Sequence, residues 1–212
     1  SNKGPGIVSA YPKGFVPPID SRLSPSVVLT SAGQTVTNMV TVKLGSQGRF
    51  DIRRTVGLDL LVDLVGVYLR TASPVADGRF IPLAGTRRAL NGVAVAARSS
   101  VTADLDLSGV PPFATAALVN ITADRAPRGQ WIASAANTTR PTTVDLSIDT
   151  AGQTRSNQTI VPLNGIDSFV SFYGGAGGRL TVDVLGYYTG ATFGVSDAGL
   201  FVPTNPVRRL DS

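Results

Sequence analysis

Apolar and polar residues alternate with a period of two along most of this chain, in short runs bounded by glycine, proline, asparagine and aspartate. Such runs are typical of β-strands that bury one face. The pattern predicts strands at residues 6–11, 26–31, 38–44, 48–54, 58–69, 114–123, 129–136, 143–149, 157–163, 167–173 and 179–188, with two more between 92 and 107. No window of about a dozen residues has the 3.6-residue period of a capped helix. The sequence therefore predicts an all-β chain.

Glycine- and asparagine-rich turns separate several of the predicted strands, at 45–48, 164–165 and 174–178. The run GGAGG at 174–178 lies between two strands and no Lys-Ser/Thr follows it, which favours a hairpin over a phosphate-binding loop. Prolines cluster at 17–25 and 111–112, where we expect the chain to cross between sheets, because proline cannot donate to a strand ladder. Many short antiparallel strands with regular turns predict β-sandwiches of the jelly-roll or immunoglobulin-like type.

Parts of the chain recur at a spacing of 119 to 121 residues. The segment AGQTVTN at 32–38 returns as AGQTRSN at 151–157, LVDLVGVY at 61–68 as TVDVLGYY at 181–188, and GRFIP at 78–82 as GLFVP at 199–203. Self-similarity at a fixed spacing indicates repeated structural units. It predicts an incomplete N-terminal sandwich at 1–72 (the first repeat), a linker at 73–78, a complete sandwich at 79–190 (the second repeat), and a C-terminal extension at 191–212.

The residue types available limit the chemistry. The sequence has no histidine, cysteine or glutamate, all fourteen acidic residues are aspartates, and sixteen of the nineteen basic residues are arginines. The absence of Glu and the scarcity of Lys, together with abundant Val, Thr and Gly, favour strands over helices. Without histidine or cysteine there is no imidazole base, thiol nucleophile, disulfide or usual zinc site. We therefore expect a protein that is not an enzyme, with no catalytic residues, no metal and no cofactor.

Charge and hydropathy narrow the partners. The net charge is +5, yet the arginines are scattered and form no basic stripe with interleaved aromatic residues. That footprint marks nucleic-acid binding, so we expect none. The sequence contains no run of about eighteen apolar residues, so it does not predict a membrane-spanning segment. Residues 1–10 lack the apolar core of a signal peptide, so any export signal is expected upstream or already removed.

Four segments of the second repeat resemble a known family. They are VPPFATAALVNITA at 110–123, GQWIASA at 129–135, Gln153 with Asn157, and VDVLGYY at 182–188. They are similar to a repeated β-rich module of secreted actinobacterial proteins, which reads VPxxAxAVVLNVTA, GYLTVWP, GQxxxN and VDVxGYY. Its opening, RLLDTR, returns in degraded form as RRALN at 87–91. The resemblance implies a secreted or cell-surface location and a non-catalytic accessory role.

The two ends of the chain depart from the family pattern in opposite ways. The first repeat has no opening element and no VLNVTA-type strand, whereas LFVPTNPVRRLDS at 200–212 resembles the start of a further module. A sheet without one of its strands exposes unpaired amides and carbonyls, and a partner strand can fill such a gap. We expect residues 199–212 of one subunit to complete residues 6–69 of the next. Their donor side chains are Phe201, Val202, Pro203, Val207 and Leu210.

A contact of this kind joins different surfaces of the two subunits, so it builds open filaments rather than closed dimers. The expected function is thus that of an exported structural or interaction protein of the cell surface that self-assembles head to tail. Two alternatives stay open. The chain is a fragment of a longer tandem array, or it is a carbohydrate- or cell-wall-binding accessory module of such a protein.

Recurrent polar residues have structural interpretations. Asp63 and Asp183 occupy equivalent strand positions, and we expect each to be hydrogen-bonded, with Arg54 or Arg179 as partners, rather than to form a glycosidase pair. The amides of Gln34, Asn38, Gln153 and Asn157 are expected to lock turns by binding local backbone groups. The pairs Asp104/Asp106 and Asp145/Asp149 are too sparse for a calcium loop.

Aromatic residues are the candidates for sugar stacking. Trp131, Tyr11 and Tyr173 are the first of these, because a planar ring can cover the apolar face of a pyranose. Trp131 lies in an alternating strand, where a core position is equally compatible with the pattern. Tyr68 and Tyr188 coincide between the repeats, and we expect them to cap the core with tethered hydroxyls.

Overall fold

The computed structural model describes residues 2–15, 25–69 and 71–201. These residues form eleven β-strands and two short 3₁₀ turns, Ser46–Gly48 and Asp106–Ser108, and they contain no α-helix. The strands are β1 Gly6–Pro12, β2 Val27–Leu29, β3 Phe50–Arg54, β4 Phe80–Val95, β5 Ser99–Asp104, β6 Ala116–Ala126, β7 Gly129–Ala135, β8 Leu146–Ile148, β9 Gln153–Pro162, β10 Phe169–Gly174 and β11 Gly178–Tyr188. Every ladder between them is antiparallel. The predicted all-β class is confirmed.

Residues 80–188 form two four-stranded sheets around one hydrophobic core. One sheet has the order β5–β10–β7–β8 and the other β4–β11–β6–β9. Alternate residues of each strand point inward, and Ile121 of β6, Phe172 of β10 and Leu180 of β11 are almost completely buried. This is a β-sandwich in which β6 and β11 are the two central strands of one layer.

The first repeat forms a single three-stranded sheet, β2–β1–β3. Its order matches β8–β7–β10 of the second repeat: β2 lies 119 residues before β8, β3 lies 119 before β10, and β1 begins with a glycine as β7 does. One layer of the sandwich is therefore reproduced, without a counterpart of β5.

Two strands predicted in the first repeat, 38–44 and 58–69, do not form. Their counterparts β9 and β11 both pair with β6, on its two opposite edges. Among the described residues of the first repeat, no strand corresponds to β6 or β4. The prediction was wrong because a sequence of the right period becomes a ladder only when a neighbouring strand supplies hydrogen-bond partners.

Strand bounds elsewhere differ in smaller ways. The two strands predicted within 92–107 correspond to β4 and β5. β4 starts earlier than predicted, at Phe80, because residues 80–90 also pair with β11. Residue 75, within the predicted linker, makes an isolated antiparallel bridge with Ser196. The predicted crossing at 17–25 falls almost entirely outside the described residues.

The different environments of the two repeats predict different costs of truncating equivalent leucines. Leu180 is fully buried, so Leu180→Ala is expected to lower the free energy of unfolding by roughly 2–5 kcal/mol. Leu60, its exposed counterpart, is the matched control, and Leu60→Ala is expected to stay within about 0.5 kcal/mol of the wild type. Denaturant titration of the three proteins measures both; equal losses would contradict the burial difference.

Candidate functional site

Residues 60–69, named here the unpaired segment, form a run of mostly apolar, exposed side chains. Leu61 is 89% exposed, Leu64 82% and Leu69 83%. The counterparts of Leu60, Val62 and Leu64 in the second repeat are Leu180, Val182 and Val184 of β11, which point inward and have no exposed surface. Contiguous exposed apolar surface of this kind marks an interaction site.

The main chain of the unpaired segment makes no backbone–backbone hydrogen bond with any described residue. The same holds for residues 35–44, the counterpart of β9. Just before the segment, the guanidinium of Arg54 donates to the carbonyl of Leu58 over 3.5 Å. Extended backbone without such partners differs from the two flanked edges of β11.

The glutamine side chains bind turn amides in both repeats, as predicted, whereas the asparagine side chains bind carbonyls twelve residues away rather than local backbone groups. The Gln34 side chain accepts from the amides of Thr30 and Ser31, and the Asn38 side chain donates to a backbone carbonyl over 2.7 Å. Gln153 and Asn157 make the corresponding bonds, to the Thr150 amide and the Asp145 carbonyl. The turn before residues 38–44 is therefore built as it is before β9, although no ladder follows it.

The paired aspartates differ between the repeats. Arg88 donates to Asp183 over 2.9 Å, so the predicted partner Arg179 was wrong, although the prediction of a partner was right. Asp63 is exposed and makes no hydrogen bond or ion pair with any described residue, which contradicts the partner predicted for it. The counterpart of Arg88 in the repeat pattern is Arg209, which lies outside the described residues.

Two equivalent tyrosines meet at the junction of the repeats. The hydroxyl oxygens of Tyr68 and Tyr188 are 2.7 Å apart, which gives both hydroxyls the partner that the sequence predicted. Burial raises the pKa of the Tyr188 phenol, and the hydrogen bond with Tyr68 adds to this. The ring of Phe80 lies 5.3 Å from that of Tyr188, and the ring of Phe201 stacks on that of Tyr68 at 4.7 Å.

Phe201 is the one predicted donor residue within the described part of the chain. It is 52% exposed and contacts the first repeat of its own chain. The other four predicted donor residues, Val202, Pro203, Val207 and Leu210, lie outside the described residues.

The three aromatic residues predicted to stack on sugars do not come together. Trp131 is 3% exposed and packs in the core, so it offers no platform. Tyr173 points to the opposite face of the same sheet, and the guanidinium of Arg140 covers its ring at 4.0 Å. Tyr11 lies in the first repeat, with Phe15 against its ring. Alternation predicted that one face of β7 is buried, but not that this face carries Trp131.

Comparison of the chain with protein-family models, with curated proteins and with solved structures gave no match. Within the described ranges, no three acidic side chains cluster closely enough to hold a metal ion. No helix in the described part of the chain is long and apolar enough to cross a membrane.

Asp145, which sequence reasoning considered only as part of a calcium loop and rejected, organises the start of β8. Its carboxylate accepts from the Thr159 hydroxyl over 2.6 Å and from the Ala133 amide over 2.7 Å, which ties β7 to β9 across the sandwich edge. Burial raises the pKa of the Asp145 carboxyl, the two hydrogen bonds oppose this rise, and the nearby Asp63 carboxylate adds to it. Asp63 therefore lies close enough to the second repeat to affect its electrostatics.

The raised pKa of Asp145 predicts a pH dependence of stability. The folded state binds the proton more tightly than the unfolded state, so this contribution is fully present below pH 3.8 and is lost as pH rises through the raised value. The free energy of unfolding of the wild type is therefore expected to decrease as the pH rises just above 3.8. In Asp145→Asn this decrease is expected to be smaller. Urea titrations of both proteins from pH 3.5 to about 7 measure it, and parallel pH profiles would refute it.

Proposed function

We propose that this chain is an exported, non-enzymatic structural or interaction protein of the cell surface that associates by β-strand addition. The observation that carries the proposal is the unpaired segment. It has the residue pattern of a buried central strand, while its side chains are exposed and its main chain makes no backbone–backbone hydrogen bond with any described residue.

The second repeat supports the proposal that the unpaired segment accepts neighbouring strands. There, β11 is paired on one edge with β4 and on the other with β6, and its inward side chains are buried. A strand added beside residues 58–69 supplies backbone hydrogen-bond partners and places side chains next to theirs, and each such cross-strand pair contributes roughly 0.2–1 kcal/mol. Strand addition of this type is an established mode of protein recognition.

The donor that fits is the segment 199–212. Residues 201–203 read Phe-Val-Pro where β4 begins with Phe-Ile-Pro, so the segment carries the opening pattern of the strand that covers β11. A donor from a neighbouring subunit joins two different surfaces, which gives head-to-tail assembly.

The location and the non-catalytic role are supported by the sequence. The resemblance to a repeated module of secreted actinobacterial proteins favours export and an accessory role, and the absence of histidine, cysteine and glutamate leaves few groups for acid–base or nucleophilic chemistry. Carbohydrate or cell-wall binding stays a prediction, since no geometry of the described residues favours it.

The proposal predicts that assembly depends on the apolar surface of the unpaired segment and on residues 199–212. Deleting residues 199–212, or changing Leu64→Asp, is expected to abolish higher-order species, because the first removes the donor and the second places a charge on the covered face. Leu107→Asp is the matched control, since Leu107 is 87% exposed and lies outside the segment. Light scattering and negative-stain microscopy over a range of concentrations, with and without mild heating, measure the assembly.

Two results would overturn this proposal. One is a wild-type chain that stays monomeric under every condition tested. The other is assembly that Leu107→Asp disrupts as strongly as Leu64→Asp does, because the segment would then have no special part in it.

A further inference from the structure

We infer that in the single chain residues 201–212 add to residues 58–69 of the same chain, antiparallel and in the register of β4 on β11. This inference rests on the proposal that residues 58–69 accept a strand, and it names the donor of the isolated subunit. Head-to-tail assembly then proceeds by exchange of this segment between copies, as in domain swapping.

The sequence supplies the match. Residues 201–212 read FVPTNPVRRLDS against FIPLAGTRRALN at 80–91, with the Phe, the Pro and both Arg residues in the same places. In the second repeat Tyr188 pairs with Phe80, Tyr187 with Ile81 and Asp183 with Arg88. The corresponding pairs are Tyr68 with Phe201, Val67 with Val202, and Asp63 with Arg209.

The first of these pairs is already in place. Phe201 stacks on Tyr68 of its own chain at 4.7 Å, as Phe80 packs on Tyr188 at 5.3 Å. A donor that starts at the acceptor loses less freedom on pairing than one that arrives from solution, because tethering raises its effective concentration. This favours the chain's own segment over that of another copy.

The junction of the repeats gives the direction. Repeat-equivalent residues meet there: Tyr68 with Tyr188 through their hydroxyls, and residue 75 with Ser196 through two backbone hydrogen bonds of 3.1 and 3.0 Å. Contacts between equivalent residues define a local twofold arrangement. β4 continues from Phe80 and pairs with β11. By the same twofold relation, the segment that continues from Phe201 is expected to pair with residues 58–69.

A glycine in the unpaired segment shows the space kept for the Phe201 ring. In β11 a Cβ at Gly186 would lie 2.5 Å from Phe80 Cζ, so that position must be glycine for β4 to approach. Gly66 is its counterpart, and a Cβ built there meets no atom within 4 Å. Gly186 must be glycine because the Phe80 ring of the neighbouring strand packs against it. Nothing around Gly66 in the structure requires glycine, but a Phe-x-Pro strand paired with residues 58–69 would require it.

Charge supports the same register. The Asp63 carboxylate is exposed and has no partner among the described residues, while its counterpart Asp183 is held by Arg88. Arg209 occupies the equivalent place in the segment, so pairing in this register gives Asp63 the guanidinium that it lacks.

Engineered cysteines test the inference directly, because the chain has none of its own. The variant Val67→Cys/Val202→Cys places two thiols at directly paired positions, and Val67→Cys/Asn205→Cys places the second thiol three residues further along. After mild oxidation of dilute full-length protein, non-reducing gels and mass spectrometry are expected to show an internal disulfide in the first variant and its loss in the second.

Two further changes in the Val67→Cys/Val202→Cys background test the register by another route. Gly66→Leu fits the open surface but blocks the approach of the Phe201 ring, so the internal disulfide is expected to be lost. Asp63→Arg and Arg209→Asp are each expected to slow its formation several-fold, and the combined variant to restore it. Leu107→Asp is the control and is expected to change nothing.

The remaining outcomes show whether the inference alone fails or the proposed function fails as well. Covalent multimers without the internal disulfide would overturn pairing within one chain and leave head-to-tail assembly standing. Internal disulfides at both spacings, or insensitivity to Gly66→Leu, would overturn the register. No disulfide of either kind, together with a chain that never assembles, would overturn strand addition itself.

Discussion

A β-strand obtains its backbone hydrogen bonds from its neighbours, and the rest of this structure depends on that constraint. Where β6 is present, the strands on both of its edges are ordered and their apolar faces form a core. In the first repeat, where no described strand corresponds to β6, two segments with nearly the same patterns form no ladder with described residues. The same residue pattern gives a buried strand at 178–188 and an exposed chain at 58–69. The difference comes from the surroundings and not from the segment.

Features that depend on residues close in sequence could be predicted, and features that depend on register could not. Gln34 and Gln153 were expected to lock turns, and they do, because their partners lie three or four residues away. Arg88 could not be chosen over Arg179 as the partner of Asp183, since register shifts along the β4–β11 ladder decide which side chain lies opposite. Likewise, alternation marked a buried face in β7, but the position of the opposite sheet determined that Trp131 belongs to it.

The exposed segment was predicted as a strand for sound local reasons, and the failure of that prediction is the reason we propose it as a site. A local pattern that contradicts its tertiary surroundings is where function is expected in an otherwise consistent fold. In this chain the contradiction is confined to residues 34–45 and 57–69, whereas the turn amides between the two repeats agree closely.

The carboxylate of Asp63 has a second consequence, for aggregation. A run such as LLVDLVGVYL, apolar and rich in β-branched residues, would by itself be a nucleus for stacking identical chains into cross-β structure. Parallel, in-register stacking places Asp63 directly beside its own copies, and like charges in that position repel. A charge in this position opposes such stacking, as gatekeeper residues do. The donor strand that we propose brings a guanidinium and removes the same repulsion, so one charge would distinguish that donor from the segment's own copies.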